Sequence, residues 1–304
     1  MQTFLPVADF AESARLLDTA RLGKQRVETL QVLRALELPD YGWANHPVVT
    51  MWRGRTPALV AYGLAAVRAW RERGFADSTH DLIAEFAPDV VDVPQAELAA
   101  AGRLPTWLGD EAFHRAHRSS LLAKQPEFYR PLFAERFGPA PDDLPYVWPG
   151  ADDVPPQPTP DGVRVWVVRP RAHGELGACL AAGIVGLGTQ SGIDVDATGL
   201  TPVELRGLAK ELSGRRPAKD LRQLSAFLDE LRPGDLVALP IEQGAALLLG
   251  RVTGEYRFEG RELLPHRRSA RWVRVLPRSA APRPATLQDP RALFTVVLDP
   301  ADLD

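Results

Sequence analysis

Lys24 and Glu28 stand four residues apart in the run Arg21-Leu22-Gly23-Lys24-Gln25-Arg26-Val27-Glu28, a spacing that sets an amine beside a carboxylate on one helix face. An ordinary helix-face ion pair satisfies that spacing. So does a reactive amine, because the cationic neighbours Arg21 and Arg26 favour the neutral, nucleophilic form of Lys24. His46, in Asn45-His46-Pro47, is either a turn residue bonding its own backbone or an acid–base group. His114-x-x-His117 has the look of a metal pair, but no acidic partner lies at ligand spacing, so no metal is expected. His114 and Arg118, one turn apart, suit phosphate contacts. The single cysteine, Cys179, excludes a disulfide framework and a multi-cysteine zinc site, and Gly186-Leu187-Gly188 lacks the phosphate-loop pattern. No cofactor is expected.

The formal net charge of -3 does not by itself suggest a nucleic-acid partner. Its distribution does. Arg21–Arg73 holds nine Lys/Arg against four Asp/Glu, and Arg267–Arg283 holds six arginines and no acid, while acids gather in Asp77–Glu97 and Asp142–Asp161. The result is basic faces on a nearly neutral chain. Arginines decorating solvated helices give the same counts.

These residues need elements to hold them. At 304 residues the chain is long enough for about two domains. Eight prolines between Gly138 and Gly162 cannot continue a helix or sit in a sheet centre, so 139–162 reads as a semi-rigid linker whose Tyr146 and Trp148 dock on the preceding domain. Before it, the apolar spacing predicts helices over 19–38, from Thr56-Pro57 to Gly74, and over about 110–123, then a short aromatic tail at Phe128-Tyr129, and no strand. Thr56 is the expected N-cap, and Trp52 and Trp70 are expected in the core. After the linker, Val163–Val168, Ile184–Leu187, Leu236–Leu239, Leu247–Val252 and Trp272–Leu276 read as short strands, with helices at about 202–213 and 219–231 between the second and third. The expected fold is an all-α domain over 1–138 and an α/β domain, a small barrel, over 163–304. There is no apolar run near membrane-span length and no signal-peptide pattern at the start, so a reducing cytoplasm is expected.

Residues 1–137 resemble the pyrimidine-dimer DNA glycosylases of the phage endonuclease V type, and in particular a bacterial branch of them. The family resemblance rests on Leu17-Asp18 through Glu28, Asn45-His46-Pro47, Arg73-Gly74-Phe75 and Lys124-Gln125-Pro126-Glu127-Phe128-Tyr129, and that to the bacterial branch on Arg21-Leu22-Gly23-Lys24-Gln25-Arg26 and the stretch His114–Ser120. It implies an amine that attacks the sugar C1′, an imine formed as the base leaves, and β-elimination assisted by a carboxylate, which falls on Glu28. The amine falls on Met1, because Gln2 discourages removal of the initiator, or on Lys24. An α-amine, with a reference pKa of about 8, is partly neutral at pH 7, whereas a lysine near 10.4 needs help. DNA contacts are assigned to Arg21, Arg26, His46, His114 and Arg118, and Tyr129 either stacks on an extruded base or closes the core.

Residues 163–277 resemble the N-terminal reader domain of Mrr-type endonucleases, related to EVE and PUA-like modules. The matching pieces are Val165-Trp166-Val167-Val168-Arg169, Gly183–Gly188, Gly234-Asp235-Leu236-Val237, Gly250–Tyr256 and Pro265-His266-Arg267-Arg268 leading to Trp272. The resemblance implies a pocket for a flipped, modified base. Its candidate walls are Trp166, Tyr256 and Trp272, its candidate rim is Arg169, His266, Arg267 and Arg268, and Thr189 replaces the family's tryptophan. Trp166 and Trp272 as plain core residues are the alternative. Together the two resemblances imply a glycosylase, with or without lyase activity, acting on double-stranded DNA with damaged or modified bases, for example in defence against phage. The alternatives are a non-enzymatic module that binds and flips bases, and an RNA-modification reader.

Overall fold

The computed structural model describes residues 1–39, 41–139, 143–152, 161–188, 193–213 and 221–303. The chain divides into two compact units, Met1–Pro158 and Thr159–Asp304.

The first unit is helical. Its helices are α1 (Phe10–Leu16), α2 (Thr19–Glu37), α3 (Pro47–Trp52), α4 (Thr56–Glu72), α5 (His80–Ala84), α6 (Gln95–Ala100), α7 (Glu111–Lys124) and α8 (Pro126–Phe137). Asp9, Asp18, His46 and Asp110 cap α1, α2, α3 and α7 by accepting backbone N–H groups with their side chains. Leu22, Leu30 and Leu33 of α2 are buried, as are Val60, Leu64 and Val67 of α4. The two helices meet closely at Gly63, where a Cβ would stand 2.7 Å from Thr29 Cγ2. Trp52 is fully buried, whereas Trp70 is half-buried and stacks on Phe75.

Two expectations change here. Thr56 does not cap α4: Arg55 holds the cap position without a side-chain bond, and the Thr56 hydroxyl turns to Glu37. Phe128 and Tyr129 are not a tail but the first turns of α8, which Pro126 opens because a proline at a helix start loses no hydrogen bond. Residues 143–152 of the expected linker lie against this unit. The Leu144 N–H donates to Ser119 Oγ at 2.9 Å, and Asp152 pairs with Arg55 at 2.6 Å and accepts the Thr106 N–H at 3.0 Å.

The second unit is a mixed sheet with helices. Its strands are β1 (Val163–Val168), β2 (Ile184–Leu187), β3 (Leu236–Ile241), β4 (Ala246–Val252), β5 (Arg257–Phe258), β6 (His266–Pro277) and β7 (Leu293–Leu298). The helices α9 (Glu175–Ala182), α10 (Pro202–Ser213) and α11 (Leu221–Asp229) come between β1 and β3. The order is β2-β6-β4-β3-β1-β7, with β5 on β6. β1 and β3 run parallel, and the remaining pairs are antiparallel. Val165 and Val167 face one apolar cluster and Trp166 and Val168 the other, so β1 is buried on both faces and reads as a continuous apolar run.

The expected barrel is corrected. β2 and β7 end the order without pairing to each other, so the sheet stays open. A parallel β1–β3 pair needs a long crossover. The chain makes it through α9, β2, α10 and α11, and β7 then takes the other side of β1. Among the described residues, no helix is long and apolar enough to cross a membrane.

Candidate active site

The chain starts as a buried extended segment with side chains, not strands, for partners. Buried peptide groups must be paired, and residues 2 to 6 draw on side chains of four helices, α2, α3, α4 and α7. The Gln2 N–H donates to Glu28 Oε2 of α2 at 3.0 Å. Gln25, one turn earlier, accepts the Phe4 N–H at 2.8 Å and donates to the Gln2 carbonyl at 3.0 Å. Trp52 Nε1 donates to Thr3 Oγ1 at 2.9 Å, and the Tyr62 hydroxyl lies 2.9 Å from the Phe4 carbonyl.

α7 completes the clamp. The Leu5 N–H donates to His117 Nδ1 at 2.9 Å, while His114 Nδ1 donates to the Leu5 carbonyl at 2.8 Å. The two rings are therefore opposite tautomers, and His114 Nε2 accepts the Gly109 N–H at 3.1 Å. Both must be neutral. Burial drives His117 down to about 3 and also lowers His114. Arg118 donates to the Pro6 carbonyl at 2.7 Å and pairs with Glu111.

This segment delivers Met1 and Gln2 to a cavity of about 510 Å³. Glu28 supplies a half-buried carboxylate there, and Arg21, Lys24 and Lys124 supply positive charge. His46, Tyr146 and Trp148 supply ring surface. His46 Nδ1 accepts the Val48 N–H at 3.2 Å, so in the neutral ring the proton sits on Nε2. Burial and then the positive charge of the chain's amino end lower the His46 pKa, against the opposing pull of Glu28. Arg21 is steadied by Asp18 at 3.4 Å and by the Lys124 carbonyl at 3.1 Å. The arrangement can hold an anionic backbone, place a carboxylate next to a developing cation, and offer an amine within the same space.

Of the expected residues, the fold brings together Glu28, Met1, Lys24, Arg21 and His46. It places the others elsewhere. Arg26 lies over the Trp70 ring at 4.4 Å and pairs with Asp77. His114 and Arg118 are buried with their polar groups turned to the chain's first residues, so these side chains face the protein's own backbone rather than a phosphate. Tyr129 is fully buried: its hydroxyl donates to Asp18 Oδ2 at 2.6 Å and accepts the Asp18 N–H at 3.0 Å, which leaves no face for a base. Gln25 and Lys124 were not assigned roles from sequence, and Tyr146 and Trp148 were expected only to dock the linker on this domain. An aromatic pair inside a proline-rich stretch was the available signal for the last two, and a polar residue one turn from buried Leu22 the signal for Gln25.

In the second unit only part of the expected pocket comes together, Tyr256 meeting His266 and Arg268, and the other described residues are engaged by the protein's own core and carbonyls. Trp166 is a core residue, Arg169 donates to the carbonyls of Asp289 and Leu287, and Trp272 Nε1 donates to the Cys179 carbonyl at 3.3 Å. Arg267 bonds the Leu264 carbonyl at 2.8 Å. Thr189 lies outside the described residues. His266 is buried behind Tyr256 in a closed relay: the Ala197 N–H donates to the Tyr256 hydroxyl at 3.3 Å, that hydroxyl to His266 Nδ1 at 2.9 Å, and His266 Nε2 to the Ile193 carbonyl at 2.9 Å. Burial lowers the His266 pKa, as the neutral ring of this relay requires. Tyr256 does line a cavity of about 620 Å³, together with the loop 197–202, Arg232, Glu255 and Arg268.

No curated protein matches the sequence. Residues 174–285 match a domain family of unknown function, DUF8426. Residues 1–82, which contain the clamped segment, Glu28 and His46, match the family described as pyrimidine dimer DNA glycosylase, and the N-terminal part of this chain carries such a domain.

Proposed function

We propose that residues 1–138 form a DNA glycosylase for damaged bases in which Glu28 and the amine of Met1 act on the same deoxyribose, and that residues 163–304 read modified bases. The observation that carries the first part is the 3.0 Å bond from the Gln2 N–H to Glu28, which holds the residue next to Met1 against the carboxylate in a cation-lined cavity. The neutral amine attacks C1′. The new N–C1′ bond forms as the bond from C1′ to the base nitrogen breaks, and the base departs with that electron pair and takes up a proton. The amine then gives up one proton, and its lone pair forms the C1′=N bond as the C1′–O4′ bond opens and O4′ takes up a proton, while Glu28 stabilises the positive charge. With an imine in place, loss of a C2′ proton expels the 3′ phosphate and nicks the strand. Lys24, also in the cavity, is the alternative amine. Arg21 and Lys124 suit the flanking phosphates.

For the second domain, support comes from its sequence resemblance to modified-base readers and from the cavity that Tyr256 and Arg268 share. Damaged or modified duplex DNA is the substrate, and phage with modified DNA is a fitting source.

Borohydride trapping on ultraviolet-irradiated duplex tests the enzymatic reading. A covalent adduct is expected, and peptide mapping assigns it to Met1, to Gln2 where Met1 has been removed, or to Lys24. Absence of adduct and of released base over a panel of damaged and modified duplexes overturns it in favour of a module that binds and flips bases without chemistry.

A further inference from the structure

Residues 143–152 lie beyond the 1–82 stretch matched to the glycosylase family, yet they build part of the cavity wall. The strap is fixed at both ends by groups other than its aromatic rings, namely the Leu144–Ser119 bond and the Asp152 contacts to Arg55 and Thr106. Tyr146 also bonds Ser120 and Gln2 and packs against the apolar cluster of Phe4 and Leu121, which leaves the Trp148 ring for another task. Tyr146 and Trp148 stack with centroids 5.0 Å apart and planes 16° from parallel. Tyr146 is also steadied by an edge-on contact with the ring of His117 at 5.5 Å. His46 meets Trp148 edge-on at 6.0 Å, and Trp43, 60% exposed and at φ 76°, meets His46 at 5.7 Å and continues the aromatic row.

An indole that served the core would be covered. Trp148 has one face covered by Tyr146, borders the cavity and still leaves 38% of its surface exposed. The same cavity carries Arg21, Lys24 and Lys124, which suits a phosphodiester. A flat apolar ring beside fixed positive charge is the combination that binds unpaired nucleic acid, where each stacked base contributes roughly 1–3 kcal/mol whatever its identity. It also offsets the few kcal/mol lost when a base leaves the duplex stack.

We propose that Trp148, backed by Tyr146, is the stacking platform for an unpaired nucleobase extruded from duplex DNA, with that nucleotide's sugar at Glu28. This rests on the reading of the Glu28 cavity as the DNA site. The platform is indifferent to base identity, so it recognises loss of pairing, and chemical selectivity lies elsewhere in the cavity.

The test uses the full chain and two duplexes, one with 2-aminopurine facing cytosine and one with it facing thymine. Trp148→Ala is expected to weaken binding to the mismatched duplex about 5- to 100-fold, the range that stacking provides. It should leave affinity for the paired duplex and the thermal midpoint unchanged. Trp148→Phe should keep most of the preference. The wild type should quench 2-aminopurine in the mismatch, and Trp148→Ala should leave it bright. Unchanged mismatch preference, equal weakening on both duplexes, or a lowered thermal midpoint that accounts for the loss overturns the platform. Turnover assays on damaged duplex separate the two readings. If Glu28→Gln abolishes turnover while Trp148→Ala is neutral, the platform falls alone. If the wild type releases no base but Trp148→Ala loses the mismatch preference, the platform stands and the chemistry falls.

Discussion

The Gln2 peptide nitrogen and the Glu28 carboxylate meet at 3.0 Å across 26 residues of sequence. The contact places a half-buried acid where the chain begins, and the acid also faces a cavity. Glutamine at position 28 retains an oxygen that can accept the Gln2 N–H but loses the negative charge. Glu28→Gln is expected to lower single-turnover base release about 100- to 1,000-fold, the size seen when one group stabilising developing charge is removed. Affinity for the damaged duplex and the thermal midpoint should change little. Parallel binding and turnover measurements check it, and equal losses in both would show that Glu28 serves binding alone.

His117 is fully buried with its pKa held down at about 3, against about 6.5 for an unfolded histidine. The unfolded chain takes up this proton first as pH falls, so the stability contribution is full above about pH 6.5 and is lost progressively below it. Between pH 7 and pH 5 that loss is about 2 kcal/mol from this residue. Urea unfolding of His117→Gln should show a shallower decline with acidity than the wild type, even if the variant is less stable throughout. His114, His46 and His266, each lowered first by burial, add to the slope in the same direction.

Tyr129→Phe separates the two roles open to that residue. Its hydroxyl both donates to and accepts from Asp18, which also caps α2 by accepting the Arg21 N–H. Removing it leaves the N–H and a carboxylate oxygen of half-buried Asp18 without this partner, an expected loss of about 1–2 kcal/mol in unfolding free energy. Base release per folded molecule should be unchanged. A variant of normal stability and impaired turnover would assign Tyr129 to the substrate.

Two glycine-to-alanine changes should act with opposite sign. At Gly63 the new methyl meets Thr29 Cγ2 at 2.7 Å and Ile83 Cγ2 at 3.2 Å, so α2 and α4 must move apart, at roughly 1–3 kcal/mol. Gly207 in α10 has open space, and alanine there should stabilise the helix by roughly 0.5–1 kcal/mol. Denaturation followed separately for each unit's transition checks both.

The long helices were legible because their period runs for several turns: α2 spans Thr19–Glu37 against an expected 19–38, and α7 spans Glu111–Lys124 against about 110–123. Helices α3, α5 and α6, with 6, 5 and 6 residues, are too short to display a period. Glu28, Lys24 and Arg21 were legible as neighbours because one helix carries them. The error over His114 and Arg118 has a different origin. A histidine and an arginine one turn apart look like a phosphate site from any local window, and the backbone they hold, Leu5 and Pro6, lies more than 100 residues away. The open sheet was hidden for a similar reason: β7 follows a stretch of short turns, and the edge it occupies on β1 is set by a pairing between the two ends of the unit.

The clamp on residues 2–6 leaves Met1 at the wall of the space a substrate would enter. Anything spliced ahead of that methionine, such as a purification tag, has to leave through the same opening. A preparation tagged at its front end would fold normally and yet be plugged by its own extension, while the same tag at the far end would leave the passage clear.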